Sequence, residues 1–199
     1  MPRETPVLGR RIVVWGVTGS GKTTMAKQLG TLLGLPVVEL DAIRHRNGWD
    51  STDWPEFRTE LTQSLDGYSE GWVLEGSYSQ IMDVYLKRAD TLVWLHMPFL
   101  TSFSRLLRRT VARAWDHKPL YHSEGPRESW RLSFLSRNSI LWYALKSHRS
   151  ATRHRIERVA ELPSSIRAYE LRSPQEVEVL LNTAKRHNSA ANSSSLRPD

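Results

Sequence analysis

Residues 16–23, GVTGSGKT, form a glycine-rich stretch directly between a short apolar run and a segment with helical spacing. The preceding run, RIVVW, is mostly β-branched and aromatic, as a buried strand should be. The following residues, MAKQL, have the spacing of a helix. A strand that passes through a glycine-rich turn into a helix begins an α/β fold, so this stretch constrains the fold more than any other feature.

The same stretch matches the phosphate-binding pattern GxxxxGK followed by Ser or Thr. Four fixed positions match by chance in under roughly one per cent of chains this long, which disfavours a plain strand-to-helix turn. Glycines let backbone N–H groups turn toward phosphate oxygens, and the helix that follows places its positive end there. Lys22 is expected to contact the β and γ phosphates, and the Thr23 hydroxyl to hold Mg²⁺. The residues expected to bind ATP here are Gly16, Thr18, Gly19, Ser20, Gly21, Lys22, Thr23 and Thr24.

Apolar runs alternate with helical patterns along the rest of the chain. The runs that read as buried strands are Arg11–Trp15, Pro36–Leu40, Trp72–Gly76, Thr91–Met97 and Arg167–Leu171. Phe57, Leu61 and Leu65 repeat every fourth residue after a capping cluster, and Ser173 with Glu176 forms a capping box before another helix. The alternation predicts an α/β fold of the P-loop NTPase class, with a doubly wound parallel sheet of about five strands flanked by helices.

Composition limits the location and the partners. The chain has 199 residues and no cysteine, so disulfide and thiolate metal sites are excluded and a reducing, cytoplasmic location is expected. Its longest largely apolar run, TLVWLHMPFL, is about half the ~20 residues that a membrane-spanning helix needs. The net charge of +7 indicates polyanionic partners, either nucleotide phosphates or nucleic acid. We expect an N-terminal tail over 1–10, one domain over 11–184 and a disordered polar tail over 185–199.

Two classes of P-loop protein are disfavoured by what the sequence lacks. No NKxD tetrad for guanine occurs, which weighs against a GTPase switch. The apolar runs end without the Asp-Glu pair of a hydrolytic motor, since WVLEG supplies only Glu75.

Several segments together resemble the topology modulation proteins, an adenylate-kinase-like branch of P-loop proteins. They are GVTGSGKT, PVVELD, WVLEGSY, ADTLVWLHMP, RLLRRTVAR and YELRSPQEVEVLL. The resemblance implies phosphoryl transfer with ATP and Mg²⁺, an acceptor-binding insertion at about 41–70 and a lid at about 114–128. It also implies that Glu75 stands where related kinases carry a metal-binding Asp, and that Arg172 lies beside the adenine. The Phe-Pro-Arg of adenylate kinases is replaced by SYSQIMD, which disfavours AMP as the acceptor.

Asp41 follows the second predicted strand, at the sheet edge where ligands bind in such folds. In small-molecule kinases an acid here orients or deprotonates the acceptor hydroxyl. The alternative for Asp41 is helix capping or loop solvation. Arg44, His45 and Arg46 come next, and they suit an anionic acceptor or a solvated surface.

A row of arginines follows the fourth predicted strand. Arg105, Arg109 and Arg113 recur every fourth residue, and the apolar residues predicted to pack on the opposite side are Leu100, Phe103, Leu107 and Val111. Arginines at the base of a lid stabilise the charge that builds on the transferred phosphoryl group. We therefore expect Arg109 and Arg113 to act in catalysis, with a solvated arginine face as the alternative.

Residues 146–158, KSHRSATRHRIER, are the densest basic segment. An exposed helix end is the favoured interpretation, because no aromatic residue interleaves the charges as a nucleic-acid stacking platform would. Two functions remain open. The favoured one is a Mg²⁺-ATP-dependent kinase of a nucleotide or other small, anionic acceptor. The alternative is an ATP-dependent nucleic-acid-binding regulator of DNA topology.

Overall fold

Five parallel strands form one sheet at the centre of the computed structural model, which describes residues 6–45, 52–116 and 152–194. The strands are β1 (Arg11–Gly16), β2 (Val37–Glu39), β3 (Trp72–Glu75), β4 (Thr91–Leu95) and β5 (Arg167–Leu171). Their order across the sheet is β2-β3-β1-β4-β5, and every neighbouring pair is parallel. The predicted doubly wound sheet is confirmed, with β2, β3 and β4 shorter than the apolar runs that contain them.

Helices flank the sheet. The described ones are α1 (Lys22–Leu33), α2 (Leu40–Arg44), α3 (Trp54–Asp66), α4 (Met82–Leu86) after a 3₁₀ turn (Ser79–Ile81), α5 (Phe99–Asp116), α6 (residues 152–160) and α7 (Pro174–Ser194). After β1 the chain builds β2 and β3 on one side and then moves to β4 and β5 on the other. The carboxyl end of β1 therefore lies at the switch point of the sheet, where ligands bind in open α/β folds.

Alternate residues of β1 pack into two separate hydrophobic cores, one on each face of the sheet. Val13 and Trp15 belong to the core that includes Phe57, Leu61 and Tyr85. The opposite core contains the other β1 positions together with residues of α1 and α7, namely Ile12, Val14, Met25, Leu29, Leu180 and Ala184. Burial on both faces explains why the strands are almost uniformly apolar instead of alternating.

Helix α3 forms as the sequence predicts. The Asp53 side chain accepts a hydrogen bond from the Glu56 backbone N–H at 2.7 Å, and Pro55 lies in the first turn. This N-cap satisfies a backbone donor that would otherwise have no partner inside the helix. The buried residues of this helix are spaced four apart: Phe57, Leu61 and Leu65. The helix therefore packs against the core through its apolar face.

Helix α7 begins at the predicted capping box but ends later than predicted. The Glu176 N–H donates to Ser173 Oγ at 3.2 Å, while the Glu176 carboxylate accepts from the Arg172 N–H at 2.7 Å. The helix continues to Ser194, so it includes residues 185–194 of the segment predicted to be a disordered tail. Packing of the preceding turns nucleates the helix, and adding residues to a formed helix costs much less than starting one.

The predicted packing face of α5 is wrong. Leu100, Leu107 and Val111 are exposed, whereas the buried residues of this helix are Ser102, Leu106 and Thr110. The reason is close contact with the glycine-rich loop: a Cβ on Gly19 would lie 2.2 Å from the Ser102 carbonyl oxygen. The Leu106 Cβ lies 3.1 Å from the same position, so α5 packs on the loop through the side that carries Ser102 and Leu106.

Several predicted features lie outside the described residues: Arg46, lid residues 117–128 and residues 146–151 of the basic segment. The backbone of Arg113 is part of α5, and its side chain is outside the description as well. Within the described ranges, none of the helices is both long enough and apolar enough to cross a membrane.

Candidate functional site

The glycine-rich loop connects β1 to α1 at the switch point of the sheet. Gly19 and Gly21 have φ of 83° and 100°, in the left-handed region that favours glycine. The Ser20 N–H donates to the Val17 carbonyl at 3.1 Å and closes the turn. Lys22 is the first residue of α1, so the helix N-terminus faces the loop. This geometry suits an anion, because backbone N–H groups and the helix dipole point the same way.

Lys22 lies among the charged groups of the site. Its Nζ donates to the Val17 carbonyl oxygen at 3.2 Å. Burial lowers the pKa of Lys22, while the nearby carboxylates of Glu75 and Asp41 act in the opposite direction and the Arg155 cation reinforces the lowering. Lysine and both acids therefore lie close enough to interact electrostatically. The ammonium can shift from the loop carbonyl to a phosphate with little loss of hydrogen bonding.

Thr23 and Glu75 bring two oxygen ligands together beside the loop. The Thr23 hydroxyl donates to Glu75 Oε1 at 3.0 Å. Glu75 ends β3 and is paired in register with Val14 of β1, so the sheet itself fixes its distance from the loop. Burial raises the pKa of Glu75, and the attraction of Lys22 and the Thr23 hydrogen bond oppose that shift.

The donor set fits Mg²⁺ in the way that phosphate-binding sites hold it. Hydroxyl and carboxylate oxygens are the hard ligands that this ion prefers, usually one or two from the protein with phosphates and water completing the shell. Within the described part of the chain, no group of three or more His, Cys, Asp or Glu side chains is placed to hold a metal ion. Thr23 and Glu75 therefore suit an ion that arrives with a nucleotide.

Asp41 lies in the first turn of α2 and contacts a tyrosine from another part of the chain. The Tyr78 hydroxyl donates to Asp41 Oδ1 at 2.8 Å. The Tyr78 ring packs edge-on against Phe57 at 5.7 Å and Trp54 at 6.0 Å between ring centroids. Tyr78 belongs to the WVLEGSY segment, and its contact with Asp41 could not be predicted from sequence, since only the strand order brings the two residues together.

Arg155 of α6 is a second residue near the site that the sequence did not predict there. Its Nη2 donates to Ser77 Oγ at 3.3 Å, and its charge acts on Lys22. Residues 146–158 were interpreted as an exposed helix end, but Arg155 is half-buried and faces the loop after β3. No sequence signal distinguishes it from its basic neighbours, because the distinction depends on how α6 is rotated against the sheet.

The arginines of α5 differ in their positions. Arg105 Nη1 donates to the Ser20 carbonyl at 3.3 Å, which joins the helix to the glycine-rich loop. The Arg109 cation is near enough to act on the pKa of Lys22. Both arginines therefore lie on the side of α5 that borders the site, and Arg105, Arg108 and Arg109 are all exposed to solvent.

The remaining predicted nucleotide contacts lie at the edges of the site. Thr24 is exposed on α1. Arg172, in the loop after β5, forms an ion pair with Glu170 at 2.9 Å. Glu170 in turn contacts His96, which stacks on Trp94 at 4.4 Å between ring centroids. The Arg172 side chain is thus engaged at the end of β5, and its backbone N–H is engaged with Glu176.

Comparison with known proteins gives one family and several similar folds. The family model for shikimate kinase matches residues 18–166. A shikimate kinase from Paramagnetospirillum magneticum is 32% identical over 136 residues, which cover 61% of this chain and 66% of that protein, slightly under two thirds of its length. The resemblance to topology modulation proteins in particular receives no support from these matches.

One solved structure supports the fold, and a second is reported beside it. TT1252 from Thermus thermophilus has a TM-score of 0.51 at 18% identity, with 96% of this chain and 100% of that chain covered. A shikimate kinase from Acinetobacter baumannii in complex with shikimate has a TM-score of 0.49 at 17% identity, over 94% of this chain and 96% of the other. At these identities the likeness to TT1252 extends to the fold alone.

Proposed function

Because the chain belongs to the shikimate kinase family, we propose that it is an ATP-dependent kinase that phosphorylates a hydroxyl group of a small-molecule acceptor. The observation that carries the proposal is the meeting of Lys22, Thr23 and Glu75 with Asp41 at the carboxyl ends of β1, β2 and β3. One end of this arrangement suits a nucleotide triphosphate and the other suits a hydroxyl that must lose its proton.

The glycine-rich loop would bind the phosphates of ATP through its backbone N–H groups, with Lys22 between the β and γ phosphates. Thr23 and Glu75 would hold Mg²⁺, which on binding neutralises phosphate charge and orients the γ phosphate. Arg109 would stabilise the negative charge on the transferred group, since its cation already acts on Lys22 from α5. Arg113 is the next arginine on the same helix face, and we propose it as a second cation for this role.

Asp41 is the proposed base. As the acceptor oxygen attacks the γ phosphorus, the bond from that phosphorus to the bridging oxygen of ADP breaks, and Asp41 takes the hydroxyl proton. The Tyr78 hydrogen bond occupies Oδ1, so Oδ2 is the oxygen left to accept the proton. A carboxylate in this position needs only to reach the acceptor oxygen at hydrogen-bond distance.

Shikimate is the first acceptor to test, because both the family model and the curated relative carry its name. A nucleic-acid role is not favoured, since Arg155 of the basic segment is directed toward Ser77 and Lys22 instead of outward. The residues proposed to bind the acceptor lie in α2, α3 and the loop after β3.

The test is ADP release by the purified protein with Mg²⁺ and ATP, alone and with shikimate, gluconate or nucleoside monophosphates. One small acceptor should raise the rate, and Asp41→Asn should lower its kcat by at least about 100-fold with the KM for ATP unchanged. Asp66→Asn, on the exposed end of α3, is the matched control and should keep full activity. Undiminished transfer in Asp41→Asn would exclude Asp41 as the base, and failure of every acceptor would exclude the proposed function.

A further inference from the structure

Arg105 of α5 contacts the backbone of the glycine-rich loop. Its Nη1 donates to the Ser20 carbonyl oxygen at 3.3 Å, across 85 residues of sequence. A Cβ on Gly21 would lie 3.6 Å from the same nitrogen. Arg105 is exposed overall, but this hydrogen bond is partly buried. The guanidinium therefore lies against the peptide that joins Ser20 to Gly21.

Two buried residues of α5 fix the place from which Arg105 reaches the loop. A Cβ on Gly19 would lie 2.2 Å from the Ser102 carbonyl oxygen and 3.1 Å from the Leu106 Cβ. Ser102 and Leu106 are both buried. Because residues three apart on a helix are neighbours, Arg105 lies beside Ser102 and reaches the loop residue next to Gly19. The backbone of α5 thus packs on one loop residue while its arginine holds the following one.

The peptide between Ser20 and Gly21 turns this contact into the orientation of a donor. The peptide is trans, so it is planar and its N–H points opposite to its C=O. Since Arg105 holds the Ser20 carbonyl on the α5 side, the Gly21 N–H points away from α5. Gly21 is the N-cap of α1 and has no side chain with which to cap the first N–H groups of the helix. Its own N–H therefore adds to the backbone donors that an anion meets at the start of α1.

We propose that Arg105 is a positioning residue for the nucleotide, which directs the Gly21 N–H at the β phosphate of ATP or ADP by holding the Ser20 carbonyl. The inference rests on the proposed function in one respect, that the loop binds nucleotide phosphates. A loop whose donors are already oriented loses less conformational freedom when it binds a ligand. The cation at the carbonyl also polarises the peptide, which strengthens the N–H as a donor. Arg105 itself touches no phosphate, in contrast to the role proposed for Arg109.

The experiment measures the Kd values of ADP and ATP with Mg²⁺ by calorimetry, together with kcat at saturating ATP. Arg105→Met keeps the apolar stem and removes the donors and the charge. It should raise both Kd values by about 5- to 10-fold, as the loss of one partly exposed hydrogen bond predicts, and leave kcat within about 2-fold. Both nucleotides are affected because both carry the β phosphate. Arg105→Lys should recover part of the affinity, since an ammonium can still donate to the carbonyl.

The Gly21 amide gives a second measurement, made by NMR on the protein without nucleotide. Arg105→Met should shift the amide nitrogen resonance of Gly21, because the carbonyl of the same peptide loses its hydrogen bond. Arg108→Met is the matched control: it removes an exposed arginine from the same helix and should change neither the Kd values nor this resonance.

Equal Kd values in Arg105→Met and Arg108→Met would overturn the inference and leave the kinase function in place. A loss of affinity for ATP alone, or a lower kcat at saturating ATP, would also overturn it, because Arg105 would then contact the γ phosphate itself. Raised Kd values with an unmoved Gly21 resonance would contradict the action through the Ser20 carbonyl. If the wild-type protein binds neither nucleotide, the proposed function fails together with the inference.

Discussion

The Tyr78 hydroxyl donates a 2.8 Å hydrogen bond to Asp41, across 37 residues of sequence. The tyrosine comes from the loop after β3 and the aspartate from the first turn after β2, and these two strands are neighbours in the sheet. Edge-on contacts with Trp54 and Phe57 hold the tyrosine ring. Tyr78 therefore connects the proposed base to a rigid aromatic cluster and limits the rotation of its carboxylate.

Replacing Tyr78 by phenylalanine should reduce catalysis without changing nucleotide binding. The ring and its packing remain, but Asp41 loses the hydrogen bond that orients it, so we expect kcat to fall by about 10-fold, equivalent to ~1.4 kcal/mol. The measurement is steady-state kinetics with the acceptor identified for wild-type protein. Tyr68→Phe, at an exposed position, is the control for loss of a tyrosine hydroxyl. A KM for ATP that rises with kcat unchanged would contradict the proposed orienting role.

Glu75→Gln should stabilise the protein at neutral pH while impairing its activity. Because burial raises the pKa of Glu75 above its usual 4.5, the folded state binds the proton more tightly than the unfolded chain does. In the wild-type protein, the contribution of the Glu75 carboxyl to folding stability is therefore lost as the pH rises from about 4.5 through the pKa of Glu75 in the folded state. Glutamine does not titrate and its amide oxygen can still accept from Thr23.

Thermal unfolding of both proteins across a pH series from about 4.5 to neutral measures this effect. The Tm of Glu75→Gln minus that of wild type should increase with pH and then level off. Glu178→Gln, on the exposed side of α7, controls for the loss of one acidic charge. A difference in Tm that shrinks as the pH rises would show that the buried carboxylate is not the penalised group.

Gly19→Ala and Gly34→Ala separate two costs of adding a methyl group. Both glycines have positive φ, 83° and 64°. A Cβ at Gly34 has nothing within 4 Å, so this variant should lose only the backbone term, about 1–2 kcal/mol. A Cβ at Gly19 would collide with the Ser102 carbonyl, so this variant should lose more and should also bind ATP less tightly. Urea unfolding and ATP titration measure both, and equal losses in the two variants would contradict the close contact with α5.

The part of the site that could be predicted consists of residues that are close together in the sequence. Gly16, Lys22 and Thr23 belong to one turn, and their spacing fixes their geometry once a strand precedes them and a helix follows. The apolar runs gave the strands for the same reason, because burial on both faces leaves a local compositional signal. The position of Asp41 followed from the rule that ligands bind at the carboxyl ends of parallel strands.

Contacts between distant segments could not be predicted in this way. Thr23 meets Glu75 across 52 residues and Arg155 meets Ser77 across 78. Each contact depends on the strand order, which the five apolar runs by themselves do not specify. For Arg44 the sequence left open a contact with an anionic acceptor and a solvated surface position, and only the structure shows that its guanidinium stacks on Trp54.

The sequence by itself determined the α/β class, the phosphate-binding loop and the helix starts at Asp53 and Ser173, because these rest on local backbone and capping chemistry. The tertiary structure decided how α5 is rotated against the glycine-rich loop. It also decided which residues lie on the acceptor side of the site. The apolar residues Leu100, Leu107 and Val111 predicted one packing face of α5, but the helix contacts Gly19 through Ser102 and Leu106 instead. The rotation of a helix depends on how closely the neighbouring backbones approach each other. The spacing of apolar residues along one helix gives no information about that distance.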